Sequence, residues 1–324
     1  MRVLITGVAG FVGGHLVDYL TTEREAATLV GLTRPGWPVP PGLERRVELI
    51  EAELEDSSSV DQAVECARPD AIVHLAAQAS PQQSWREPEA TFRTNLFGLL
   101  NILEASRRRG WQPRTLVVGS SEEYGRIEEQ DLPLGETAPL RPLSPYATSK
   151  VAQGFLALQY ALSAEIPVIR TRTFHHTGPG RGETFVEASF ARQIAQIEQG
   201  RQAPVIEVGN LEAIRDFCDV RDVVRAYWSL VERGAPGEVY NVCSGHGTRI
   251  REILDLLLAQ CREPVEVRVD PNRLRPSDVP VVVGDPTRLR EVVGWEPRIP
   301  LKQTLGELLG EMRVRVAAEV EVQG

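Results

Sequence analysis

The chain has 324 residues, 42% of them hydrophobic and 25% charged, with a formal net charge of −9. This is the balance of a globular protein with enough chain for one large domain or for two lobes sharing a core. An acidic chain with no long basic run argues against nucleic acid or an anionic membrane surface as partner, yet leaves room for an anionic small ligand held by a local set of arginines and backbone N–H groups.

Residues 2–6 (Arg-Val-Leu-Ile-Thr) read as a short buried strand, followed by Gly7, Gly10 and Gly13 and a helical stretch over 12–20. Glycines so placed permit a tight turn, close approach of backbone to a phosphate, and close helix–strand packing, with the helix N-terminus facing the phosphate. This is dinucleotide-binding logic in a G-x-x-G-x-x-G spacing. A second strand over 28–32 ends in Thr33-Arg34. An acidic residue here would favour NAD; Arg34 suits a 2′-phosphate, which favours NADPH and leaves NADH possible. Residues 35–46 form a polyproline-like connector. A strand over 47–50 leads to Asp56 and three serines, a helix-start signal for 57–67. The strand 71–75 ends in the small residues Ala76 and Ala77, which leave room for a cofactor beyond its C-terminal end. His74, inside that strand, reads as a satisfied core histidine.

Residues 89–109 form an amphipathic helix with Phe92, Leu96, Leu99, Leu100 and Leu103 on one side, closed by Arg107–Arg109 and Gly110. Asn95 within it needs buried partners from backbone or water. The strand 115–119 delivers Ser120-Ser121-Glu122-Glu123-Tyr124. Ser144 is then a good N-cap and Pro145 a good first residue for a helix to 163, which puts Tyr146 and Lys150 on one face. A free phenol titrates near pH ~10, and a neighbouring ammonium is expected to lower that value. Such a pair can move a proton to or from a hydroxyl or ketone, with Ser120 placed to bond the same oxygen.

A sixth strand covers 166–171. Helices over 188–198, 220–231, 250–258 and from 301 alternate with strands at 205–208 and 239–242. The alternation predicts an α/β fold, a Rossmann-type doubly wound parallel sheet with a smaller C-terminal lobe. The expected division is 1–168 for the dinucleotide-binding part, with later segments around 210–243 interleaved, and 169–324 for the lobe. Cys66, Cys218, Cys243 and Cys261 are scattered without a C-x-x-C pair, as in a protein of a reducing compartment. No apolar stretch is long enough to span a bilayer, and the N-terminus lacks a signal-peptide pattern, so a cytoplasmic location is expected.

Thr6-Gly-x-x-Gly-Phe-x-Gly13, His74-Leu-Ala-Ala77, Ser120 ahead of Tyr124-Gly125, and Tyr146-x-x-x-Lys150 together resemble the extended short-chain dehydrogenase/reductase family, whose members act on nucleotide-diphosphate sugars. The likeness covers nearly the whole chain. It implies Ser120, Tyr146 and Lys150 as the catalytic group. The implied cofactor contacts are Gly7, Gly10, Phe11, Val12, Gly13, Arg34, Leu54, Leu75, Ala76, Ala77 and Lys150. Residues 182–190, 209–217 and 275–280 resemble the branch that handles GDP-mannose derivatives. That branch implies a GDP-linked 6-deoxy sugar as substrate, and NADPH-dependent reduction of its C4 ketone to give GDP-D-rhamnose. The alternatives are 4,6-dehydration of GDP-mannose or epimerisation of another nucleotide sugar. A regulator that senses NADPH without turnover usually lacks the tyrosine or lysine kept here. Arg215 and Arg275 are implied to grip the diphosphate, with Ser121, His175, Val186, Asn210 and Asp278 as further substrate contacts. His175 stands where the family usually has Asn; it and His176 have no third ligand nearby in sequence, so no metal is expected. Glu122 occupies the place of the dehydratase carboxylate, which removes the C5 proton; in a reductase it would orient substrate. Family members commonly pair two helices into a four-helix bundle, which implies a homodimer through 89–109 and 146–163.

Overall fold

The computed structural model describes residues 1–23, 27–273 and 279–321. In chain order the first part contains β1 (Arg2–Thr6), α1 (Phe11–Glu23), β2 (Thr28–Thr33), β3 (Glu48–Glu51), α2 (Ser57–Ala67), β4 (Ala71–His74), α3 (Pro81–Arg86), α4 (Pro88–Phe92), α5 (Gly98–Arg108), β5 (Arg114–Ser120), α6 (Pro145–Ser163) and β6 (Val168–Thr173). The second part contains β7 (His175–Thr177), α7 (Val186–Glu198), β8 (Val205–Val208), β9 (Ile214–Asp219), α8 (Val220–Arg233), β10 (Val239–Val242), β11 (Gly247–Arg249), α9 (Ile250–Leu258), β12 (Glu266–Val269), β13 (Val281–Val282), α10 (Thr287–Val293) and α11 (Leu301–Glu321).

Seven strands make one sheet in the order β10-β6-β5-β4-β1-β2-β3, and every neighbouring pair is parallel. The chain runs outward one way through β2 and β3 and the other way through β4, β5 and β6. The reversal between β1 and β4 opens a crevice at the C-terminal ends of the strands, where ligands bind in such sheets. Helices cover both faces, so the strands carry apolar side chains on both sides; Val3, Leu4 and Ile5 are all fully buried. On one face Val3, Ile5, Val73 and Leu116 pack with Leu16 and Leu20 of α1 and Tyr227 and Trp228 of α8. On the other, Leu4, Val30 and Ile72 meet Val60 and Val64 of α2 and Ile102 of α5. A separate core joins α7, α9 and α11 through Phe190, Ile194, Leu254, Leu257, Leu308 and Met312.

The predicted helix over 89–109 is interrupted by a π-helical turn, Arg93–Phe97, between α4 and α5. Asn95 lies in this turn, fully buried, and does find backbone partners: its Oδ1 accepts from the Gln78 N–H (2.8 Å) and its Nδ2 donates to the Gln78 carbonyl (3.1 Å). The small strands β7, β9, β11 and β13, absent from the sequence-based expectation, pair around β9. His-His-Thr and Gly-Thr-Arg show no apolar alternation, and β9 hides its burial behind charged residues. All four cysteines are free thiols, and among the described residues no helix is long and apolar enough to cross a membrane.

Candidate active site

The loop after β1 is built by its glycines. Gly7 has φ +70°, and a Cβ there would lie 2.9 Å from the Ala76 backbone nitrogen. A Cβ on Gly13 would lie 2.5 Å from the carbonyl oxygens of Gly7 and Val8. The first therefore sets how near the loop comes to the end of β4, and the second how near α1 comes to β1. Thr6 ties the same two strands side by side: its Oγ1 accepts from the Ala76 N–H (3.1 Å) and bonds His74 Nδ1 (2.9 Å). His74 is only half satisfied, since its buried Nε2 has no partner. Burial and the nearby Lys150 charge bring its pKa down to about 3, so it stays neutral.

Helix α1 begins at Phe11, directly after this loop, with its unpaired N–H groups at the crevice. Val12 follows it, while Leu54, Leu75, Ala76 and Ala77 are buried or half-buried at the ends of the neighbouring elements. Arg34 is exposed just past β2 and pairs with Glu53 (3.1 Å). A glycine cradle at a helix N-terminus, an apolar wall and an exposed guanidinium fit a dinucleotide with a 2′-phosphate.

Ser120, Tyr146 and Lys150 converge beside this cradle. Ser144 accepts from the Ala147 N–H (3.0 Å) as the N-cap of α6, with Pro145 in the first turn. The Ser120 side chain is near enough to Tyr146 to pull its pKa down. Lys150 donates to the Val118 carbonyl and to Gln153 Oε1, each at 2.9 Å. Burial brings the Lys150 pKa down to about 8, against the pull of Glu123. This corrects one expectation. Burial raises the Tyr146 pKa, opposed by the Ser120 side chain and the Arg181 charge. The Lys150 ammonium, turned to Val118 and Gln153, does not hold the phenol down.

Two acidic neighbours play different parts. The Glu122 N–H donates to Ser120 Oγ (3.2 Å), and its charge acts on Tyr146. Glu123 is buried beneath the site; its Oε1 accepts the Ser120 N–H (2.8 Å) and its Oε2 pairs with Arg172 (3.1 Å). Burial raises the Glu123 pKa, opposed by Arg172 and that backbone bond. Its carboxylate fits because a Cβ on Gly119 would sit 2.3 Å from Glu123 Oε1. Neither Glu123 nor Arg172 was among the expected site residues. The signal was present: Ser120-x-x-Glu123 is a capping box, and the structure forms it.

Of the expected substrate contacts, Ser121 is buried next to Ser120, and Val186 opens α7. Asn210 precedes β9, and its Oδ1 accepts from the Glu212 N–H (2.9 Å). Arg215 lies on β9 and donates to the Ile214 carbonyl (2.9 Å). His175 lies on β7, opposite Phe217 of β9, with ring centroids 5.5 Å apart. Thus His175 and Arg215 share one small sheet. Arg275 and Asp278 lie outside the described residues. His176 is half-buried, bonds the Phe174 carbonyl (3.0 Å) and stacks on Phe11; its desolvation brings its pKa down to about 3.

Residues 4–308 match the family model described as GDP-mannose 4,6 dehydratase. The chain belongs to this family. It is 40% identical over 318 residues to GDP-6-deoxy-D-mannose reductase of Pseudomonas aeruginosa, covering 98% of this chain and 99% of the relative. It is 30% identical to GDP-mannose 4,6 dehydratase 2 of Caenorhabditis elegans, covering 95% of this chain and 87% of the relative. Among solved structures it superposes on RMD from Pseudomonas aeruginosa complexed with NADPH, with TM-score 0.86 and 36% identity over 97% of this chain and 100% of the other. The relatives of the chain thus include both a GDP-6-deoxy-D-mannose reductase and a GDP-mannose 4,6 dehydratase.

Proposed function

We propose that the protein is a GDP-6-deoxy-D-mannose reductase, which converts the C4 ketone of GDP-4-dehydro-6-deoxy-D-mannose to the alcohol of GDP-D-rhamnose at the expense of NADPH. The observation that carries this reading is the 40% identity to the reductase of that name over essentially both full chains. The glycine cradle between β1 and α1, with Arg34 beyond β2, holds the cofactor, which when bound supplies hydride to C4. Tyr146 gives its hydroxyl proton to the C4 oxygen, and a phenol raised by burial remains protonated at neutral pH to do so. Ser120, beside that phenol and fixed through its N–H by Glu123, orients the same oxygen. The Lys150 ammonium holds the nicotinamide ribose. Arg215 and Arg275 grip the diphosphate, and His175, Ser121, Val186, Asn210 and Asp278 complete the sugar-nucleotide pocket.

Residues 1–168, with the interleaved stretch around 210–243, form the cofactor half, and 169–324 the sugar half. The protein acts in the cytoplasm as a homodimer through the helices of 89–109 and 146–163. Three large apolar side chains stand exposed on these helices: Phe97 at 48%, Phe155 at 59% and Leu162 at 73%.

Glu122 orients the substrate. Dehydration is the reading against which this is tested, because Glu122 lies close enough to act on Tyr146. Tyr146→Phe loses at least about 100-fold in ketone reduction, the worth of a positioned acid, and keeps NADPH binding. Glu122→Gln retains reductase turnover. Loss of a 4,6-dehydratase activity on GDP-mannose in Glu122→Gln overturns the assignment.

A further inference from the structure

Beneath the site, a buried amide stands between the Lys150 ammonium and the interrupted helix. Gln153 is fully buried on α6, one turn beyond Lys150. Its Oε1 accepts from Lys150 Nζ and its Nε2 donates to the Asn95 carbonyl, each at 2.9 Å. Asn95 lies in the π-helical turn Arg93–Phe97, where the Gly98 N–H reaches back to the Arg93 carbonyl; such turns recur at functional sites. Asn95 is itself fixed. Its side chain is bonded to the Gln78 backbone on both sides and donates to Ser149 Oγ (2.9 Å), which donates in turn to the Tyr146 carbonyl (2.7 Å). The Gln153 amide therefore has one orientation. Turned over, its NH2 would face the ammonium and its oxygen would face a carbonyl.

An ammonium has three N–H donors. Two of those on Lys150 end on the Val118 carbonyl and on Gln153. One acceptor is fixed by β5 and the other by the π-helical turn, and two fixed directions set the third. We infer that Gln153 is a positioning residue of the reaction, which acts through Lys150: its amide, anchored on Asn95, aims the remaining N–H at the nicotinamide ribose and holds the ammonium in its charged form. This rests on the NADPH reading of the cleft. Packing alone does not select an amide here, since burying one costs free energy unless both of its ends are bonded. Burial opposes the Lys150 charge, while Glu123, in the turn after β5, favours it and is itself paired with Arg172. His74 on β4, the other titratable group acting across this cluster, stays neutral. Gln153 adds an acceptor to this set without adding a charge.

The test uses purified full-length protein as wild type, Gln153→Met and Gln153→Glu. Each is titrated by calorimetry with NADPH and with adenosine 2′,5′-bisphosphate, which lacks the nicotinamide ribose, between about pH 5.5 and pH 9.5. Wild-type NADPH affinity falls around pH 8 as Lys150 loses its charge. Gln153→Met deletes the acceptor and moves that inflection down by about one to two pH units, the worth of one hydrogen bond to a charged group. NADPH binding at about pH 7.5 is then roughly five- to tenfold weaker. Gln153→Glu moves the inflection upward, because a carboxylate favours the ammonium more than an amide does. The bisphosphate, which does not reach Lys150, stays within about threefold of its wild-type affinity in both variants. An inflection left at the wild-type pH in Gln153→Met overturns the inference. So does an equal weakening of both ligands, the mark of a glutamine that only packs the core. A wild type that binds no NADPH overturns the cofactor reading as well, so the two failures are told apart. If Gln153→Met does not fold, Gln153→Glu decides alone: an inflection at or below the wild-type pH overturns the inference.

Discussion

Arg172→Met tests how the site is held from below. The Arg172 guanidinium and the Glu123 carboxylate are both almost fully buried, with side-chain exposures of 8% and 4%. With charge centres about 4 Å apart, an effective dielectric near 20 gives roughly 4 kcal/mol for their attraction. Breaking a buried pair from one side costs about 3–5 kcal/mol, since it strands the other charge. Arg172 also donates to the Glu136 carbonyl (2.8 Å) and stacks on Tyr124, and those partners are stranded too. A chain of 324 residues, with an unfolding entropy of about 2.1 cal/mol/K per residue, moves its Tm roughly 1.5 °C per kcal/mol, so a fall of about 4–7 °C is expected. The pH dependence identifies the cause. Burial already raises the Glu123 pKa, and removal of Arg172 raises it further. A folded-state pKa above the unfolded one means that the folded variant binds the extra proton. The destabilisation is therefore full above that folded pKa and shrinks as pH falls towards the unfolded carboxylate range. Thermal unfolding at pH 8 and pH 5.5, with Glu123→Gln/Arg172→Met as the charge-free control, reads this directly. The double variant loses less than Arg172→Met alone. A loss below about 1 kcal/mol, the size of an exposed pair, or an equal loss at both pH values, would refute the reasoning.

Two further outcomes are expected. The buried Lys150 has its pKa near 8, so the form that donates to the ribose is lost as pH rises; NADPH affinity falls roughly tenfold between pH 7 and pH 9 as the competent fraction drops, and Lys150→Met shows a flat profile in the same fluorescence titration, whereas a wild-type profile as flat as the variant's would sink the assignment. The molar mass from light scattering at micromolar concentration is twice that of the 35.8 kDa chain, and Phe155→Glu together with Leu162→Glu reduces it to one chain; a monomeric wild type would contradict the bundle.

The parallel sheet was legible because its strands announce burial on both faces, as Val3-Leu4-Ile5 and Ile72-Val73 do, and because its helices carry plain start signals. Asp56 caps Ser58 (2.9 Å) and Ser144 caps Ala147, both as their sequence context suggests. The small strands around β9 escaped notice for a physical reason. Asp216 in β9 is fully buried, yet it reads as a surface residue until Ser244, Gly245 and Gly284 supply their N–H and O–H groups from elsewhere in the chain. The same holds at the site. Tyr146 and Lys150 share a helix face, so their juxtaposition is local and readable. Glu123 and Arg172 acquire each other through a tertiary contact, across 49 positions. The direction of the Tyr146 shift was misjudged for a related reason: four residues of spacing gave the distance to Lys150 but not the Val118 carbonyl and Gln153 amide that claim its ammonium.

The most direct measurement of the central claim follows cofactor absorbance in two parallel reactions. One holds the protein, GDP-4-dehydro-6-deoxy-D-mannose and NADPH; the other holds the protein, GDP-mannose and NADP⁺. A ketone reductase consumes NADPH in step with the ketosugar in the first and forms no product in the second. A 4-keto sugar formed from GDP-mannose without net cofactor turnover, with no NADPH loss in the first reaction, would contradict the account and identify a dehydratase.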